Sequence, residues 1–453
     1  MSPAPAPPTL VLAREPSPTF EPGSPPMLTS LIASHAVQPQ PSTAAVEEVV
    51  SPGGIRAYLI PEPSIPFLSL SLYIKGGGAI DPPGQEGLGY MTAGLIDEGA
   101  GPYDSEAFRA ELDDNAIRLH FDVDRDGFSG ELKTLTATRA HAFELLRLAL
   151  TEPRFDAEPV ARIRSQILAE LRRREADPDY LASRAWFSAA FPGHAYARAT
   201  RGTPESVGAL TVEQCRGFAQ GLARDRLVVG VSGDITAAEL APLLDATFGG
   251  LPAGTAAPAV PAARPVTGVT EVVRLQIPQS VVLFGHGGIP RQDPDYYAAY
   301  VANYILGGGG FSSRLIEEVR EKRGLAYSVY SYLYDLDAAP LWIGGVATNN
   351  QQVRQSLELI AHEARRMAAG EIDEADLANA KTYLTGSFPL RLTSNDQVAK
   401  TLVGMLVDDL GLDYLARRNG LIEAVTLEDV RRVAARLFAE EMLTVVVGDP
   451  EGL

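Results

Sequence analysis

The sequence predicts an α+β fold made of two similar halves, each an antiparallel-rich sheet with helices packed on one face. Three observations predict it. Short apolar strands fall in hairpin-like pairs between longer amphipathic helical patterns. Residues 206–234 align without gaps to residues 421–449, with nine identities that include Ala209/Ala424, Thr211/Thr426, Glu213/Glu428 and the closing Gly233-Asp234/Gly448-Asp449. Each copy opens on a Thr suited to cap a helix, places acid in the first turn and ends in an apolar strand. Between the halves, residues 250–268 are rich in Pro, Ala and Gly without periodicity and read as a linker.

Residues 1–45 are dominated by Pro, Ser and Ala, which predicts a disordered arm. The arm lacks a basic start followed by an apolar core, so it is not a recognisable secretory signal, and a start at Met27 gives none either. In the first half, residues 46–249, strands are predicted at 55–60 and 67–74, a helix at 86–96, strands at 117–123 and 127–132, and a long helix at 157–174. The second half, residues 269–453, repeats the order. Its strands fall at 269–275 and 280–285, a helix at 296–306, strands at 326–332 and 340–346, and a helix at 374–386.

With 453 residues the chain can build more than one full core. Its 45% hydrophobic and 21% charged residues are ordinary for a globular protein. A net charge of −18, with no dense basic patch, argues against nucleic-acid binding. Cys215 is the one cysteine, which excludes intrachain disulfides and cysteine metal clusters. No apolar run reaches the ~18 residues that a membrane span needs.

The densest chemical pattern is GGGGFSSRLIEEVREKRGLAYSVYSYL, residues 307–333. Its glycines break a helix, and Ser312 or Ser313 caps a new one with Leu315, Ile316 and Val319 on one face. Gly324 stops that helix, and 326–332 reads as an aromatic, β-branched strand. Arg320 at the helix end and Tyr327 at the strand start are thereby placed to converge. By periodicity alone, Arg320 belongs to a charged helix tail and Tyr327 to an aromatic strand with Tyr330 and Tyr332.

Other chemistry finds no support. Gly76-Gly77-Gly78 and the 307–310 glycines lack the Lys-Ser/Thr of a phosphate loop, and no G-x-S-x-G elbow occurs. Cys215 lies on an apolar helix face and reads as a small buried hydrophobe. Asp97 and Glu98 read as a solvated helix end. No two of the six histidines share a helical turn, so no three-ligand zinc site is expected, and His362-Glu363 lacks a partner.

Residues 307–333 resemble the second-half signature of the pitrilysin/insulinase family of zinc peptidases, in its mitochondrial-processing-peptidase-like branch. The resemblance extends over nearly all of residues 46–453 and implies paired α/β-roll domains that close as a clam shell, 46–249 and 269–453. Active members carry H-x-x-E-H on a first-half helix, two His for zinc and a Glu as general base. The matching segment here is EGLGYMTAGLIDEG, which puts Tyr90, Ala93 and Gly94 at the three positions, and none of them can hold zinc. The family's third ligand matches Glu170, expected to be a solvated residue on a charged helix. His120 matches the position of Tyr327 and is expected to pack or line a rim.

The resemblance implies that Arg320 fixes a substrate backbone or orients Tyr327, and that Tyr327 donates to the developing oxyanion. Several branches of the family divide the work between two chains. The expectation is a non-catalytic, substrate-binding subunit of a heterodimeric zinc metallopeptidase. Its H-x-x-E-H partner would supply zinc, general base and an edge strand for the peptide, and this chain would hold no cofactor. The alternatives are a structural scaffold subunit and a peptide-binding homodimer. Related bacterial pairs are commonly exported, which favours the periplasm.

Overall fold

Short strands, most of them rich in apolar residues, set the architecture. In the computed structural model, which describes residues 45–254 and 258–453, they form two sheets. The first contains β1 (Glu47–Val50), β2 (Arg56–Pro61), β3 (Phe67–Lys75), β4 (Arg118–Val123), β5 (Gly127–Leu135) and β6 (Leu227–Gly233), in the order β1-β2-β6-β3-β5-β4. The second contains β7 (Thr270–Arg274), β8 (Gln279–Gly287), β9 (Ala326–Tyr334), β10 (Leu341–Asn349) and β11 (Leu443–Gly448), in the order β7-β11-β8-β10-β9. Apart from β1 the two orders are the same. In each sheet the strand that comes last in sequence inserts in parallel beside an early one, β6 beside β2 and β11 beside β7, and every other pairing is antiparallel.

Capping explains where the helices that precede β6 and β11 begin. The Thr211 side chain accepts from Gln214 N and that of Thr426 from Asp429 N, and in return the side chains of Gln214 and Asp429 accept from the Thr backbone N–H groups. The predicted helices at 157–174 and 374–386 are found as Ala157–Arg174 and Glu374–Gly386. The helix expected at 86–96 is shorter, Leu88–Ala93, because Gly94 ends it and the chain turns. The arm lies outside the described residues except for Ala45, as do residues 255–257 of the linker.

The α+β class stands, and the structure adds what covers the second face of each sheet. In β3, Leu68, Leu70, Leu72 and Ile74 face the long helices of their own half. Ser69 and Ser71 point the other way and are buried as well. Their cover is the helix Asn395–Val407 from the second half. It comes close because Gly230 of β6 has no side chain: a Cβ there would lie 2.9 Å from Leu402 Cβ and nearer still to Ala399 O. Ser69 donates to Asp396, Lys133 pairs with Asp396 at 2.9 Å, and Tyr58 packs with Leu402 and Met405.

The second sheet is covered in the reciprocal way. The helix Pro178–Ala190, from the first half, lays Ala182, Trp186, Phe187 and Ala190 on Leu443, Val445 and Val447 of β11 and on Leu341 and Ile343 of β10. Trp186 also donates to Leu443 O at 3.2 Å. The halves are therefore interlocked by exchanged helices. The described part of the linker is pinned too, through Ala263 N to Ala338 O at 2.9 Å and Val266 N to Ala190 O at 2.8 Å. Among the described residues, no helix is long and apolar enough to cross a membrane.

Candidate functional site

The Arg320–Tyr327 region is assembled by tight backbone packing. The helix Tyr296–Asn303 runs on into a π-wound turn, Tyr304–Gly308, that crosses β9 at contact distance. A side chain at Gly308 would meet Asn303 Nδ2 at 2.6 Å, and one at Gly307 would strike Ser331. Buried Asn303 ties the crossing down: its Oδ1 accepts from Ser331 Oγ at 2.8 Å and from Trp342 Nε1 at 2.9 Å, and its Nδ2 donates to Ser331 O. The glycine cluster serves close approach to a sheet.

A new helix starts after Ser313, whose Oγ donates to Gly310 O at 2.7 Å and accepts from Ile316 N at 3.5 Å. Residues Ile316–Glu321 are wound as a π-helix, with Lys322 N bonded to Glu317 O. Such wide turns recur at functional sites. Leu315, Ile316 and Val319 are buried as predicted, and Gly324, at φ 61°, turns the chain into β9.

Arg320 and Tyr327 do converge. The Arg320 guanidinium lies 5.1 Å from the Tyr327 ring centroid and 4.8 Å from that of Phe311, a cation in reach of two aromatic rings, and its Nε also pairs with Glu321 at 3.4 Å. Tyr327 is 81% and Phe311 74% exposed. Tyr327 stands on β9, the edge strand of its sheet, and His120 stands exposed on β4, the edge strand of the other. Sequence reasoning missed Phe311, although a phenylalanine directly after the glycine run was the available signal.

The second candidate region is the short helix Leu88–Ala93. Gly87, at φ 88°, forms its N-cap, and buried Asp81 accepts from Gly87 N at 3.0 Å and Gly89 N at 3.1 Å. Burial nonetheless pushes the Asp81 carboxyl up to about 7. Tyr90 points toward the helix Ala157–Arg174, where its hydroxyl lies 3.3 Å from Glu170 Oε2. Arg201 joins both: Nη1 donates to Tyr90 OH at 2.7 Å and to Glu170 Oε1 at 2.9 Å, and the guanidinium lies 4.6 Å from the Tyr90 ring centroid. Arg174 pairs with the same oxygen, Glu170 Oε1, at 2.8 Å.

Zinc does not fit these residues. Burial raises the Tyr90 phenol, so it remains a protonated hydrogen-bonding group. Ala93 offers a methyl group and Gly94 no side chain. Burial opposes ionisation of Glu170, yet Arg174 and Arg201 outweigh it and hold the carboxylate below its usual range, already neutralised. Among the described residues, no group of three or more His, Cys, Asp or Glu could hold a metal ion.

Two expectations are corrected here. Glu170, expected as a solvated residue, is held in this four-residue network because its helix packs against the Tyr90 helix. Glu98, expected at a solvated helix end, is 7% exposed. It accepts from Arg162 at 2.6 Å, Ser105 at 2.6 Å and Arg109 at 3.0 Å. The chain turns inward after Ile96 and carries Glu98 against the same long helix. Cys215 is fully buried, which pushes its thiol up, as befits a packing residue. Among the described residues, no hydrogen bond, ion pair or ring contact joins the Tyr90 network to Arg320 or Tyr327.

Comparison with known proteins agrees with this architecture. The family model for insulinase, peptidase family M16, matches residues 56–204, and that for the peptidase M16 inactive domain matches residues 210–384. The chain is 26% identical over 368 residues to the Helicobacter pylori protein called non-peptidase homolog YmxG, covering 81% of this chain and 85% of that one. It is 24% identical over 420 residues to the mitochondrial-processing peptidase subunit beta of Blastocladiella emersonii, covering 88% and 87%. A crystal structure of a peptidase M16 inactive domain from Pseudomonas fluorescens superposes with a TM-score of 0.84 at 26% identity, over 89% of this chain and 98% of that one. The protein belongs to the M16, or insulinase, family of peptidases, and it lacks the family's H-x-x-E-H motif.

Proposed function

We propose that this chain is the non-catalytic, substrate-binding subunit of a heterodimeric zinc metallopeptidase. A homologous H-x-x-E-H subunit supplies zinc, general base and an edge strand for the peptide. This chain supplies Arg320 and Tyr327 in trans. The observation that carries the reading is the exposed Phe311–Arg320–Tyr327 cluster in a chain whose own metal positions are Tyr90, Ala93 and Gly94. A scaffold has no need of a phenol and a guanidinium held at one exposed edge.

In this arrangement the guanidinium, close to the Phe311 and Tyr327 rings, fixes the orientation of Tyr327. The phenol then donates to the carbonyl oxygen that gains charge as water attacks the peptide. A preorganised donor of this kind is worth ~10²- to 10³-fold in rate. The test is capture of the chain from its own cells, followed by peptide cleavage with and without a chelator. The expected result is a co-purifying H-x-x-E-H protein with chelator-sensitive activity. Tyr327→Phe should lower kcat by ~10²-fold or more while assembly is unchanged. An inert assembly, or full activity in the Tyr327→Phe complex, would favour the scaffold or peptide-binding homodimer instead.

A further inference from the structure

We infer that the Arg201 guanidinium is a built-in cation that takes the place of the family's metal between the Tyr90 and Glu170 helices, and that it keeps this site closed to zinc. The first support is where it sits. Tyr90 and Glu170 fall at the motif's first position and at the third-ligand position, and they face one another at 3.3 Å. A single nitrogen, Arg201 Nη1, bonds to both of them.

The second support is how it arrives. Gly87 and Gly202 both have positive φ, 88° and 79°, and they meet back to back. A Cβ on Gly87 would lie 2.8 Å from Arg201 O and from Gly202 N, and one on Gly202 would strike Glu86 O. Ser206 Oγ fastens the same loop by donating to Glu86 O at 2.8 Å. The loop is thus pressed onto the start of the Tyr90 helix, which fixes the Arg201 backbone beside it.

The third support is charge. A guanidinium stays protonated at any physiological pH, so this cation cannot be removed by chelation or titration. Arg174 adds a second positive charge to the same carboxylate. A dication entering here would meet two fixed positive groups and one carboxylate committed to both. Loss of zinc binding therefore has two layers: the motif residues are gone, and the space between the two helices holds a guanidinium.

The inference rests on the family alignment and not on the existence of a catalytic partner, so it can stand or fall alone. The test restores the motif in the full chain as Y90H/A93E/G94H, with zinc measured by elemental analysis after dialysis against the metal. The expected result is no stoichiometric zinc in the triple variant and about one zinc per chain once Arg201→Met is added. Zinc bound stoichiometrically with Arg201 in place overturns the inference, as does a folded quadruple variant that stays empty.

A second measurement covers the case in which the quadruple variant fails to fold. Arg201→Met and Glu170→Gln are combined in a thermal-unfolding cycle on the native motif background. The Tm loss caused by Arg201→Met should shrink when Glu170 is already neutral. Strictly additive losses would mean that Arg201 is not the counter-ion of this site, and would overturn the inference too.

Discussion

Trp186→Ala tests the interlocking of the halves. Trp186 belongs to the first half by sequence, yet it is fully buried against the second sheet. Its ring meets Phe187 and Phe191 edge-on, with centroids 5.2 and 6.4 Å away. Removing a buried Trp costs ~3–5 kcal/mol through lost burial and the cavity left behind. Leu443 O also loses its indole donor, which adds about 1 kcal/mol. The sum, ~4–6 kcal/mol, is a large share of the ~5–15 kcal/mol that holds a native protein together.

The assay is built into the sequence, because Trp186 and Trp342 are the two tryptophans. In the variant, Trp342, buried in the second sheet, is the sole indole. Its fluorescence should report a urea midpoint lower by on the order of 1 M. Trp186→Phe should cost less, since it keeps most of the ring and loses the donor. An unmoved Trp342 midpoint in Trp186→Ala would refute the reasoning, because the second sheet would then not depend on a first-half helix.

Three further outcomes follow from the same geometry. Gly230→Ala places a Cβ against Ala399 O and Leu402 and should lower stability by ~1–3 kcal/mol; an unchanged thermal midpoint would show that the helix Asn395–Val407 is not seated there. Glu98→Gln weakens the bonds from Arg162, Ser105 and Arg109 and should cost ~1–3 kcal/mol in denaturant titration. Asp81, raised to about 7 by burial, contributes stability that is full below its unfolded value near 4 and is lost as pH rises through 7. At ~1.4 kcal/mol per pH unit this amounts to at most ~4 kcal/mol. Asp81→Asn should therefore flatten the fall in stability that ends near pH 7, most cleanly between pH 6 and 7, above the range in which Asp97 and Asp408, both pushed up to about 6, act in the same direction. A profile identical to wild type would remove Asp81 as the cause.

What was legible in the sequence was local. Thr211 and Thr426 mark helix starts through bonds only three residues long. The alternation in β3 marks a strand with one apolar face. The run from Gly307 to Tyr327 gives break, helix, stop and strand in order, and so brings Arg320 to Tyr327. The replacement of the zinc motif by Tyr90, Ala93 and Gly94 needs no structure to be seen. The helix Pro178–Ala190 could also have been found, since Asp177 with Pro178 makes a helix start and Ala182, Trp186 and Ala190 repeat every fourth residue.

The sequence by itself thus determined the elements, the class of fold, the family resemblance and the absence of the metal motif. Only the tertiary structure decided which surface covers which. Periodicity reports that a face is buried, but not what lies against it. It could not say that Ser69 and Ser71 face a helix more than 300 residues away, or that Trp186 closes the opposite sheet. Nor could it place Arg201 between Tyr90 and Glu170, or turn Glu98 inward. Those contacts join residues distant along the chain, and they depend on how two glycines and two packed helices bring the backbones together.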